Sequence, residues 1–113
     1  MEEKTIDLTT KKCVPCEGGM PALTPEVVEN LKSEIDEEWS VTDYKKISKK
    51  YKFKNFKESM NFVNKVADLA EVEGHHPDII INYNRVKVEL TTHAVKGLSE
   101  NDFIMAAKID KII

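Results

Sequence analysis

Apolar positions change their spacing several times along the chain, and each change marks an element. From Thr24 onward, Val27, Val28, Leu31 and Ile35 recur at helical intervals, with Thr24 placed to cap a helix and Pro25 suited to its first position. Between Trp39 and Phe53 the period drops to two: Trp39 and Val41, then Ile47, Tyr51 and Phe53, with lysine and serine between them. That alternation predicts two short strands joined near Thr42-Asp43. Helical spacing returns after Asn55, which forms a capping pair with Glu58. Phe56, Met60, Val63, Ala67 and Ala70 make one stripe that runs to about Glu71, widened by Phe62, Val66 and Leu69. A stripe this broad predicts the central helix of the core.

Gly74 interrupts that helix, and the stretch PDIIINYNRVKVELTTH reads as a hairpin with Asn84-Arg85 as its two-residue turn. In that register Ile79, Ile81 and Tyr83 face Leu90, Val88 and Val86 on one surface, and Asp78, Ile80 and Asn82 face Thr91, Glu89 and Lys87 on the other. Gly97 breaks the chain again. Ser99 with Asp102 forms a second capping box, and Phe103, Ala106, Ala107 and Ile109 continue a closing helix. The order α-β-β-α-β-β-α predicts an α+β fold, a four-stranded antiparallel sheet with helices on one face. Upstream, Pro15, Gly18, Gly19 and Pro21 break every periodic pattern, so residues 1–23 read as an arm or loop preceding a domain of residues 24–113.

Composition narrows the class without naming a chemistry. The chain has 113 residues, 41% apolar and 33% charged, as expected of one soluble globular domain. A net charge of −3 gives no electrostatic footprint for direct contact with nucleic acid. The lysines of 45–57 are the one basic concentration, and their alternation with Ile47, Tyr51 and Phe53 reads as a solvated strand surface or a weak anion-attracting patch. No apolar run approaches the roughly 20 residues that span a bilayer. The start MEEKTIDL is too acidic and polar for a secretory signal, and two cysteines fit a reducing compartment, so a cytoplasmic protein is expected.

The chemistry lies at the open end of the predicted hairpin. Extending its register backward sets His76 opposite His93, and a one-residue change of loop length would set His75 there instead. All three histidines of the chain therefore converge. Glu71, four residues after Ala67, is expected to project along the buried stripe toward them, where a carboxylate would fix an imidazole tautomer. Histidines so grouped suit proton transfer near neutrality, such as protonating a departing hydroxyl while a second group accepts a proton.

Blander readings carry weight for single residues. Asp102 alone is a helix-capping carboxylate, Pro77 ends a turn, and Tyr83 fills core. A three-histidine metal site is disfavoured, because His75 and His76 are adjacent in extended chain and point to opposite sides. Cys13-Val14-Pro15-Cys16 has the spacing of half a zinc site or a redox pair. With no second cysteine pair, a closed zinc site within one chain is not expected, while intersubunit metal or a reversible disulfide stays open.

The residues Glu71, His75-His76-Pro77, Tyr83, His93 and Asp102 resemble, without departure, the motif of the pterin-4a-carbinolamine dehydratase family. The likeness extends through YNRVKVELTTHAVKGLSENDF and back to Trp39 and FKNF, about residues 24–110. It implies the α+β fold already read from the pattern, and conversion of 4a-hydroxytetrahydrobiopterin to quinonoid dihydrobiopterin and water, with no metal or organic cofactor. It further implies that His75, His76 and His93 are the active-site histidines. Glu71 would support His75, Asp102 would be a further substrate-binding or orienting residue, and His76 would bind the pterin or share in proton transfer. Family members are homodimers or homotetramers. Some act instead as dimerisation partners of a homeodomain transcription factor, or as assembly factors lacking the full histidine set. The intact set here favours the enzyme over such a scaffold.

Overall fold

The computed structural model describes residues 8–14 and 21–112. Through them run α1 (Pro25–Lys32), β1 (Ser40–Thr42), β2 (Lys46–Lys52), α2 (Phe56–Glu73), β3 (Asp78–Asn82), β4 (Arg85–Leu90) and α3 (Glu100–Asp110), with 3-10 turns at Leu8–Thr10 and His93–Val95. Residues 15–20, including Cys16 of the cysteine pair, lie outside the described chain.

Local chemistry sets the helix ends. The Thr24 hydroxyl accepts the Val27 N–H at 3.4 Å, and the Asn55 side chain accepts the Glu58 N–H at 2.9 Å, each supplying a partner to an otherwise orphaned donor. At the far end of α2, Gly74 takes the left-handed conformation (φ 70°) and closes the helix with an N–H bond to the Ala70 carbonyl at 2.8 Å. That reversal aims the next residues back toward the sheet.

All strand pairs are antiparallel, in the order β1-β2-β4-β3, so β4 is interior and β3 is an edge. Ile47, Tyr51, Val86, Val88 and Leu90 are buried on one face, where α2 and α3 pack on β4 and α1 packs on α3. Lys50 and Lys52 lie on the open face, as the alternation predicts. Lys49 does not. It shares the inner face with Ile47 and Tyr51, and its ammonium reaches Asp110 Oδ1 at 2.9 Å. Asp110 also accepts the Trp39 indole N–H (3.0 Å to Oδ2) and the Tyr51 hydroxyl (3.3 Å), so a half-buried carboxylate is satisfied by three side chains, two from β2 and one from the loop before β1. Burial, then the Asp110 charge, push the Tyr51 phenol above its ordinary value.

Three features differ from the pattern's expectation. The central helix is α3 rather than α2: Phe103, Ile104, Met105, Ala106 and Ile109 are all at most 1% exposed, because this segment is apolar all round and needs cover on every side. The β3–β4 hairpin turns at Tyr83-Asn84, with Asn82 opposite Arg85 and Ile79 opposite Val88, two residues away from the register expected for an Asn84-Arg85 turn. A shift of two preserves which side chains share a face, so Ile79 and Ile81 still meet Val88 and Val86. Tyr83 leaves the core. It sits in the turn at φ 53° and is 61% exposed.

The core also takes in Leu8, 1% exposed, so part of the N-terminal segment packs against the domain. No described helix is long and apolar enough to cross a membrane.

Candidate active site

The two ends of the β3–β4 hairpin and the first turn of α3 meet in a cleft of about 260 Å³ whose lining includes His75, His76 and His93. The observed register, extended, would put Thr91 rather than His93 across from His76. The histidines still converge, because the chain after β4 folds back on itself. Thr92 bridges Gly97, with the Thr92 N–H donating to the Gly97 carbonyl at 2.8 Å, and His93 opens the small turn thus closed. Gly97 is required there: a Cβ at this position would lie 2.8 Å from the Ala22 Cβ.

His75 and His76 leave Gly74 in opposite directions, as adjacent residues of an extended chain do. The side chain of His75 turns inward, 12% exposed, and its Nε2 lies 2.6 Å from Asp102 Oδ1. Asp102 is wholly buried, and its Oδ2 accepts the Ser99 N–H at 3.0 Å and the Thr92 hydroxyl at 2.8 Å. Since Thr92 gives its hydroxyl hydrogen to Asp102, Ser99 donates in the 2.8 Å Thr92–Ser99 contact. A carboxylate in the first turn of a helix, with one oxygen already accepting two hydrogen bonds, presents the other as an acceptor for imidazole N–H. The Nε2–H tautomer of His75 follows, leaving Nδ1 for exchange.

His76 turns outward, and its Nε2 lies 2.6 Å from Glu71 Oε2, with side chains 59% and 78% exposed. Glu71 therefore partners His76, not His75 as the family resemblance implies. The reason is helix phase: the buried line of α2 runs through Ser59, Phe62, Val66 and Ala70, while Ala67 and Glu71 face solvent. The carboxylate next to that buried line is Glu73, only 6% exposed, which the Lys108 ammonium meets at 2.6 Å. Burial alone would raise the Glu73 pKa, but the Lys108 hydrogen bond, the Cys13 N–H and the neighbouring cations outweigh it and hold the carboxyl below its ordinary value.

His93 is exposed, and its ring has no hydrogen bond or ion pair among the described residues. The three imidazoles are thus held differently, one locked by a buried carboxylate, one paired at the surface, one unanchored. Local spacing gives no signal for two further lining residues, Val14 and Asn101, which come from distant segments. Among the described residues no three His, Cys, Asp or Glu side chains converge as metal ligands. A larger hollow of about 440 Å³ on the open sheet face is lined by Lys50, Lys52, Arg85 and Lys87 but by no imidazole or carboxylate, so proton-transfer chemistry is concentrated in the histidine cleft.

Residues 21–112 match the sequence profile of the family Pterin 4 alpha carbinolamine dehydratase. Relatives provisionally named pterin-4-alpha-carbinolamine dehydratase are 50% identical in Nitrosomonas eutropha, over 95% of this chain and 94% of the relative, and 50% identical in Nitrosospira multiformis, over 99% and 97%. The crystal structure of a transcriptional coactivator/pterin dehydratase from Brucella melitensis superposes with a TM-score of 0.75 at 35% identity, covering 80% of this chain and 97% of that one. A pterin dehydratase-like RuBisCO assembly factor of the alpha-carboxysome shares the fold, with a TM-score of 0.57 at 22% identity. By profile, sequence and fold, the chain belongs to the pterin 4 alpha carbinolamine dehydratase family.

Proposed function

We propose that the protein dehydrates a pterin 4a-carbinolamine, 4a-hydroxytetrahydrobiopterin or a close analogue, to the quinonoid dihydropterin. The observation that carries this reading is the His75–Asp102 pair at the wall of a cleft shared with His76 and His93. Loss of water breaks the C4a–O bond: the hydroxyl leaves with a donated proton, and a base removes a proton from the ring, so two proton-transfer groups suffice and no electrons are exchanged. His75, its Nε2–H fixed on Asp102, offers Nδ1 at a set position, and His93 offers an unencumbered ring; these are the two acid/base groups. His76, steered by Glu71, binds the pterin or shares in proton transfer. Asp102 acts through His75 as a positioning residue.

The test is water loss from synthetic 4a-hydroxytetrahydrobiopterin, followed optically against the spontaneous rate. Catalysed loss is expected, and a rate equal to the blank refutes the assignment.

The protein is also proposed to be a cytoplasmic homo-oligomer. The β3 edge supports this, since it carries Ile80 and Ile81, 48% and 38% exposed, beside unpaired backbone groups that a second copy could cover. Light scattering should give a dimer or tetramer mass, and a monomer mass at micromolar concentration would end that part.

A further inference from the structure

Three successive residues in the first turn of α3 each hold a different segment. Glu100 meets Lys11 at 2.8 Å, Asp102 meets His75 at 2.6 Å, and between them Asn101 clamps the backbone of Val14. The Asn101 Oδ1 accepts the Val14 N–H at 3.0 Å, and its Nδ2 donates to the Val14 carbonyl at 2.6 Å. A side-chain amide presents one acceptor and a donor side by side, so it pairs with a peptide unit as a neighbouring strand would. Asn101 itself is 4% exposed, which makes the clamp a buried fixture rather than a surface contact. Behind it, Glu73 accepts the Cys13 N–H at 2.9 Å and is itself held by Lys108.

This fixture does not serve to bury Val14, whose residue remains 63% exposed and lines the histidine cleft. The segment gains its burial through Leu8 and Cys13, whereas at Val14 the clamp orders a backbone whose apolar side chain stays in water, without the burial that ordinarily offsets such ordering. Such a local departure marks a functional position. We propose that Val14 is a wall of the cleft that touches the ring of the substrate, and that Asn101 is the residue positioning it. The inference rests on the dehydratase reading and deepens it. The segment of residues 8–14 then contributes Val14 to the binding site, and the turn of α3 that orients His75 also sets the wall its substrate leans on.

Removing a contact made equally in the ground and transition states raises KM and leaves kcat in place. Val14→Gly and Asn101→Ala are therefore each expected to raise KM about three- to tenfold, with kcat within about twofold of wild type. The dissociation constant of a fully oxidised pterin, which cannot lose water, should rise in parallel by equilibrium dialysis. Val14 is exposed, so Val14→Gly decides the matter even if Asn101→Ala impairs folding. Unchanged KM and pterin affinity in Val14→Gly overturn the wall while leaving the dehydratase reading intact. A loss confined to kcat in Asn101→Ala also overturns it, since Asn101 would then act on the Asp102–His75 pair. A wild-type protein that neither binds pterin nor dehydrates the carbinolamine removes the reading beneath.

Discussion

His75 and Asp102, 27 residues apart, meet at 2.6 Å and join the end of α2 to the first turn of α3. The contact couples the position of one imidazole to a buried network that also includes Thr92 and Ser99. Because Asp102 has no exposure to solvent, its hydrogen-bond partners determine its geometry.

Replacing Asp102 by asparagine should therefore disturb catalysis through His75. An amide can present its NH₂ to the imidazole and reverse the tautomer, so kcat should fall about 10- to 100-fold, the usual scale for a residue that orients a site histidine. Glu71→Gln should change kcat at most about threefold, because a contact between two exposed side chains contributes little. Steady-state kinetics of the two variants side by side check this, and equal losses would contradict the distinction.

Glu73 makes a prediction in pH. Its folded-state pKa is depressed below the ordinary 4.5, so its contribution to stability is present above that value and is lost as pH falls through the lower folded value. Glu73→Gln should lower Tm at pH 7, and the gap between variant and wild type should narrow below about pH 4. A gap independent of pH from 7 to 3 would show that the Glu73 charge contributes nothing.

Much of the site could be read in advance, and the failures have physical causes. The caps at Thr24 and Asn55 are legible because they involve only residues three apart. The hairpin register is not, because period-two alternation is unchanged by a slip of two residues. Turn chemistry would have to decide, and it misleads here: the left-handed position falls to Tyr83, a residue with no preference for it. The outward direction of Glu71 is not legible, because the small Ala67 fits a buried or a solvent-facing line of α2 equally well. The phase is fixed by Phe62 and Val66, which are buried. The pairings of Asp102 with His75 and of Asn101 with Val14 cross from one segment to another, beyond the reach of any local pattern.

Cys13 illustrates how packing overrides a motif. Burial, reinforced by the Glu73 charge, pushes its thiol up to about 12, so thiolate near pH 8 is about a thousandfold scarcer than at the ordinary value. With Cys16 changed to serine so that only Cys13 reports, iodoacetamide should react far more slowly than with a free thiol. Adding Glu73→Gln should speed the reaction. Alkylation at the rate of a free thiol would contradict the burial argument.

The most direct test of the histidine assignment compares wild type with His75→Ala and His93→Ala in the dehydration of synthetic 4a-hydroxytetrahydrobiopterin. Loss of a general acid or base should lower kcat in each variant by about a hundredfold or more. Undiminished turnover in both would contradict the assignment of acid/base catalysis to this cleft.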